Sequence, residues 1–438
     1  MGIQSQGRIG NLNLMNITIK NGHLVDPKNG IDAVTDVFVA DGKIAALGKA
    51  PAVFRADTVI DAEGLIVCPG LVDLSARLRE PGFEYKATLE SELHAAVAGG
   101  VTSLVCPPDT DPPLDEPGLV EMLKRRAESL NLAHVYPLGA LTARLEGKRL
   151  TEMAELFHAG CVAFSQADTP LPDTQMLWRA MQYATTYSYQ VWLRPQDVYL
   201  ARDGVAHDGE VATRLGLPAI PAFAETIALA TVLALVRETG ARVHLCRLSS
   251  AGAVEMVRRA KAEGLAVSCD VAAHHVHLAD TDIGYFDSQY HVIPPFRAQR
   301  DRDALRKGLA DGTIDAICSD HAPVDDDAKQ LPFGESEAGV TGLELLLSLA
   351  LKWSGEMKLP VSAAIERVSS RPAAILGLEA GQLAVGMPAD ICIFDAKAYS
   401  RIAADRLRSQ GKNTPFIGYE LPGRVRQTLV AGRVVFAA

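Results

Sequence analysis

The sequence predicts an α/β fold: a (β/α)8 barrel of the TIM type with a small β-sandwich domain formed by the N- and C-terminal segments. Three observations carry this expectation. The middle of the chain alternates strand-like apolar runs with helical periodicity, the two ends share short alternating strands and turns, and the Gly-rich fingerprint of an open, doubly wound sheet is missing after the first strand.

Residues 1–14 are rich in Gly, Asn and Gln and precede a second methionine, Met15, so they are expected to form a flexible extension. Residues 15–66 read as strands at 17–25, 36–40, 43–47 and 58–61, with a hairpin turn at Asp41-Gly42. Residues 378–438 repeat that texture at 389–394, 425–430 and 433–436, and the two ends together are expected to make the small β-domain. Between them, residues 67–377 are assigned to the barrel. Its eight expected strands are 71–77, 103–108, 134–141, 162–166, 190–195, 242–250, 266–274 and 314–320, with helical periodicity at 116–130, 223–239 and 251–263 among the intervening segments. The apolar run 343–351 reads as a core helix, and Asp325-Asp326-Asp327 as a solvated loop.

A chain of 438 residues, 48% hydrophobic, can bury one large core and a satellite domain. Its net charge of -10 argues against a nucleic-acid surface or a polybasic membrane patch. No apolar run approaches a membrane span, and the first residues lack the hydrophobic stretch of a signal peptide. Seven cysteines without a Cys-x-x-Cys pair read as buried free thiols in a reducing, cytoplasmic setting.

In such a barrel, chemistry sits where strands end and the following loops begin. The side chains there include Ser75, Arg77, Asp109, Gln166, Arg194, Arg247, His274, His275 and Asp320, a set rich in Arg and poor in His.

The stretch Cys68-Pro-Gly-Leu-Val-Asp-Leu-Ser-Ala-Arg-Leu-Arg-Glu-Pro-Gly82 resembles the first-strand motif of dihydroorotases in the amidohydrolase superfamily, Pro-Gly-x-x-Asp-x-His-x-His-x-Arg-x-Pro-Gly. Val292-Ile-Pro-Pro-Phe-Arg297, Ser319-Asp-His-Ala-Pro323 and Asn413-Thr-Pro-Phe416 extend the likeness in the same order, and it covers nearly the whole chain from Met15. The resemblance implies a hydrolase that interconverts dihydroorotate and carbamoyl aspartate. In it, zinc lowers the pKa of a bound water and a strand-eight Asp moves the proton.

This chain departs from that family at the metal ligands. The resemblance aligns five ligand positions with Ser75, Arg77, Gln166, Arg194 and Arg247, and leaves Asp320 as a vestigial general acid/base. A guanidinium has no lone pair for a metal, and a neutral amide cannot bridge two cations as a carboxylate does. No metal and no cofactor are therefore expected. Substrate-pocket remnants are Arg79, Asp109, Arg297 and His275; Asp109 replaces an Asn and would repel a carboxylate, and Val324 stands where the family has His.

Arg77, Arg194 and Arg247 could offset Asp320 and Asp168 as fixed charges where dications once did, or could have drifted to solvent. The His274-His275 pair reads as pocket wall, and His244 as a residue packed below the pocket.

The leading expectation is a dihydroorotase-like, non-catalytic protein of pyrimidine biosynthesis. The resemblance is to the inactive pseudo-dihydroorotase subgroup, whose members are structural partners of aspartate carbamoyltransferase. A homodimer is also implied. Two rivals stand beside it: an active dihydroorotase or related cyclic amidohydrolase with zinc on Asp320 and His274, His275 or His244, and a small-anion binder built on Arg77, Arg79, Arg194 and Arg247.

Overall fold

The computed structural model describes residues 15–438, so the extension expected at 1–14 lies outside the described residues. Eight parallel strands follow one another around the barrel in chain order: Leu71–Asp73, Val101–Cys106, His134–Ala140, Ala163–Ser165, Gln190–Leu193, Arg242–Leu245, Val267–Ala272 and Ala316–Cys318. The first and last strands meet beyond their ends: Arg77 N–H donates to the His321 carbonyl (2.8 Å) and His321 N–H to the Ser75 carbonyl (3.1 Å).

All eight places match the sequence expectation, but several strands are shorter. The tails expected at 74–77, 246–250 and 319–320 lie outside the named strands, though Ala76 still bridges to His321. Arg247 (φ 54) and Asp320 (φ 46) have left-handed backbones, which turn the chain out of the pleat and into loops at the barrel mouth.

The helices between strands have local reasons to form. Pro117–Leu130 opens on Pro at its first turn, and Ser250 caps Ala251–Ala262 through the Ala253 N–H (3.3 Å). Phe223–Thr239 coincides with its predicted span and ends on Gly240 in the left-handed region (φ 68). The run expected as core helix begins as a short 3-10 turn, Leu343–Leu345, and continues as Leu346–Glu356 with most of its face buried.

The terminal segments form two sheets. Lys43–Leu47, Val37–Ala40, Ile17–Lys20 and Thr58–Asp61 make one; Arg433–Ala437, Glu420–Val430, Ile391–Arg401, Ile66–Pro69, His23–Asp26 and Ile31–Val34 make the other. The single strand expected at 17–25 is two. Asn21 (φ 59) breaks it, and its halves enter different sheets. Ile17, Ile19, Leu24, Val67, Ile391 and Leu429 share the core between the sheets. No helix among the described residues is long and apolar enough to cross a membrane.

Candidate functional site

The loops after the barrel strands bring three arginines onto two aspartates. Arg194 Nε donates to Asp168 Oδ1 (2.6 Å) and its Nη2 to the Asp168 carbonyl (2.8 Å). Arg247 Nη1 donates to Asp320 Oδ1 (2.9 Å) while its Nη2 pairs with Asp168. Arg77 reaches Asp109 through Nε (2.8 Å), Asp320 through Nη1 (3.4 Å) and Asp168 through Nη2. Ser75 Oγ donates to Asp320 Oδ1 (3.4 Å).

These side chains have not drifted to solvent. Arg77, Arg194 and Arg247 are 8%, 4% and 5% exposed, so their charges must be balanced internally. Three guanidiniums face Asp109, Asp168 and Asp320, and the formal charges cancel. Burial opposes ionisation of Asp168, yet Arg247, Arg77 and Arg194 hold its carboxyl far below the usual range. Burial pushes Asp320 upward against the pull of Arg247 and Arg77.

Asp168 occupies the centre, two residues beyond the position the sequence comparison singled out. Gln166 faces away: its Oε1 accepts from the Thr142 hydroxyl (3.0 Å) and its Nε2 donates to the Leu145 carbonyl (2.7 Å). Between them Ala167 adopts a left-handed conformation (φ 51), and that turn swings Asp168 inward.

Below the cluster, Asp270 links two residues. Its Oδ1 accepts the Arg247 N–H (2.6 Å) and its Oδ2 lies 3.0 Å from His244 Nε2. His244 is fully buried against Trp192 (ring centroids 4.3 Å apart), with Nδ1 2.8 Å from Ser268 Oγ, which is the packed position expected for it. Asp270 thus pins the strained backbone that aims Arg247. An Asp270→Asn variant is expected to lose about 1–3 kcal/mol of stability, read from urea denaturation, because one buried donor is left unmatched.

The remaining predicted residues are divided. Arg79 lines a cavity of about 170 Å³ together with Arg77, Asp168, Asp320 and Glu337. Its Nε donates to the Pro323 carbonyl (2.8 Å) and its Nη2 lies 3.9 Å from Glu337 Oε1. Asp109 is spent on Arg77 instead of standing free to repel an anion.

Arg297, expected in the pocket, does not line this cavity. Its guanidinium is used by Ser249 Oγ (3.1 Å), the Ile220 carbonyl (2.6 Å) and His207 Nδ1 (3.3 Å). His275 does not line it either; its Nε2 lies 3.0 Å from the Pro294 carbonyl and its ring packs on Phe296. Burial, reinforced by Arg247, lowers His274 to about 3 and leaves it a neutral imidazole.

Sequence reading missed Glu337, which pairs with Lys86 at the cavity rim. It also gave no role to Asp73, which accepts the Ser319 N–H (2.8 Å) and ties the first strand to the eighth. The Pro-Gly-x-x-Asp motif marks Asp73, whereas nothing local marks Glu337.

The donor set does not fit a zinc centre. The ligand positions hold guanidiniums, a hydroxyl bonded to Asp320 and an amide committed elsewhere. Among the described residues, no group of three or more His, Cys, Asp or Glu is arranged to hold a metal ion.

The eight-stranded barrel carries its polar cluster at the strand ends, and residues 177–436 match the amidohydrolase family. Residues 64–253 match the dihydro-orotase-like family. The chain is 46% identical over 420 residues to a dihydroorotase-like protein of Pseudomonas putida, covering 96% of this chain and 99% of that one. It is 40% identical over 424 residues to a dihydroorotase of Citrifermentans bemidjiense, covering 97% and 100%. The L-hydantoinase (dihydropyrimidinase) of Arthrobacter aurescens shares the fold, with a TM-score of 0.86 at 24% identity over 97% of this chain and 96% of that one. This chain belongs to the dihydroorotase-like proteins of the amidohydrolase family.

Proposed function

We propose that this protein is a non-catalytic member of its family that serves pyrimidine biosynthesis in the cytoplasm as a structural partner of aspartate carbamoyltransferase, itself assembling as a homodimer. One observation carries the non-catalytic reading. Arg77, Arg194 and Arg247 close on Asp168 and Asp320, so the groups that would activate water are replaced by fixed charges already neutralised by their neighbours. The transferase partnership rests on the family resemblance: a scaffold retained without its reaction keeps its value as a binding surface.

Untagged protein, grown with zinc, is expected to hold far less than one zinc per chain and to leave dihydroorotate at the buffer rate. Mixed with the carbamoyltransferase of the same cell, it is expected to elute as a larger assembly than either component alone. Near-stoichiometric zinc with turnover would establish the active reading, which the dihydroorotase of Citrifermentans bemidjiense, 40% identical, favours. Separate elution of two fully functional components would remove the partnership.

A further inference from the structure

A groove of about 530 Å³ lies apart from the barrel mouth and shares no lining residue with the cavity there. It runs between the segment 344–348, the loop 402–408 and the paired strands Ile391–Arg401 and Glu420–Val430. Arg401, Arg406, Arg408 and Arg424 line it, all four are exposed, and none forms a side-chain ion pair among the described residues. Its one lining carboxylate side chain is Glu344. That carboxylate accepts the N–H groups of Arg408 (2.7 Å) and Ser409 (3.1 Å), and burial pushes it up to about 7. Glu420 sits opposite Arg401 in the strand register but does not line the groove.

Four unpaired guanidiniums are conspicuous on a chain whose net charge is -10. Arginines elsewhere divide, Arg237 pairing with Glu263 and Arg306 with Glu356 while Arg55, Arg202 and Arg214 form no ion pair among the described residues; these four are set apart by sharing one groove. The floor is apolar in part, with Val425 and Phe436 partly exposed and Leu345 and Leu347 buried. We infer that this groove docks an extended acidic segment of a partner protein, its carboxylates meeting Arg401, Arg406, Arg408 and Arg424 and its apolar side chains meeting the floor.

The physical grounds are complementarity of charge and of texture. A positive strip on a negative body attracts an acidic segment locally and repels a long polyanion as a whole. A nucleic-acid strand would find the body repulsive and the apolar floor without a match. An extended peptide alternates its side chains and can satisfy both walls and floor at once. The inference goes beyond the transferase reading: it assigns a surface and a chemistry, and stands or falls whichever protein supplies the segment.

The test uses the full chain and a fluorescein-labelled peptide of three Glu-Leu-Asp-Ser repeats, followed by anisotropy. Binding is expected at low salt and is expected to weaken at about 150 mM salt, where exposed charges are screened beyond about 8 Å. The double variant Arg401→Glu/Arg424→Glu is expected to weaken it at least about tenfold. A matched reversal elsewhere, Arg125→Glu/Arg179→Glu, is expected to leave it unchanged.

Thermal melting by circular dichroism checks that each variant is folded. Should the double reversal unfold, Arg401→Gln/Arg424→Gln serves instead, with about a threefold weakening expected. Absence of binding, or equal weakening by the two reversals, overturns the proposal. So does displacement of the peptide by an equal concentration of inorganic phosphate, which would make the groove a small-anion pocket. Sedimentation of the chain with phosphatidylserine vesicles that Arg401→Glu/Arg424→Glu abolishes would make it a lipid surface and overturn the proposal equally.

Discussion

An Asp168→Asn variant is expected to lose about 3–5 kcal/mol of folding stability, the usual consequence of removing one partner from a buried charge pair. Asp168 meets three guanidiniums that are each less than a tenth exposed, and its own side chain is 29% exposed. The amide keeps the shape and removes the charge, so three buried cations would then face only Asp109 and Asp320. Urea denaturation reads the loss. A decrease below about 1 kcal/mol, the size of an exposed pair, would show that solvent already screens the cluster.

The pH dependence has a definite sign. Asp168 is depressed in the fold, so its contribution is complete above the unfolded carboxylate pKa of about 3.9 and fades as pH falls toward the folded value. The gap between the native protein and Asp168→Asn should therefore be constant above about pH 5 and narrow below about pH 4. Asp320 is raised, so its contribution has the opposite slope, present at low pH and lost as pH rises through its folded value.

The second large effect comes from exchanging fixed charge for metal. The quadruple variant Ser75→His, Arg77→His, Arg194→His and Arg247→His removes three guanidiniums and leaves Asp109, Asp168 and Asp320 together. At pH 8 the imidazoles are neutral, and three carboxylates repel one another at the mouth. The variant is expected to be several kcal/mol less stable than the native protein without zinc, by the same penalty for unpaired buried charge, ~3–5 kcal/mol. Zinc at a thousand times its dissociation constant should restore about 4 kcal/mol. Native protein should show no zinc response. A quadruple variant equally indifferent to zinc would mean that the arginines do not occupy the place of a cation.

Much of this was legible in the residues because periodicity and motif order speak directly. Eight strands in register with helices gave the barrel, and Arg77, Arg194 and Arg247 could be placed at its rim. Their pairing with Asp320 and Asp168 is, in the sequence, one of two alternatives beside drift to solvent, and their burial decides between them. What could not be read depends on backbone turns that local sequence does not announce. Ala167 has no side chain that demands a left-handed conformation, yet its turn decides that Asp168, not Gln166, faces the centre. Arg297 is satisfied by Ile220 and His207, whose proximity arises only from tertiary packing. The break after Ile17–Lys20 was announced by Asn21-Gly22, a turn dipeptide that the alternating pattern around it obscured.

The junction between the first and eighth strands carries a consequence for how the chain is made. His321 Nδ1 accepts the Gly342 N–H (3.1 Å), so its Nε2 carries the proton donated to Glu92 (2.6 Å). Glu92 in turn accepts from Ser409 Oγ (2.7 Å) and the Gln410 N–H (3.0 Å), 317 and 318 residues further along. The helix Leu89–Ala98 therefore waits for residues 409 and 410 before its buried carboxylate is fully satisfied. During synthesis the seam's own backbone bonds can form once His321 is in place, while Glu92 stays short of two of its donors until residues 409 and 410 are added.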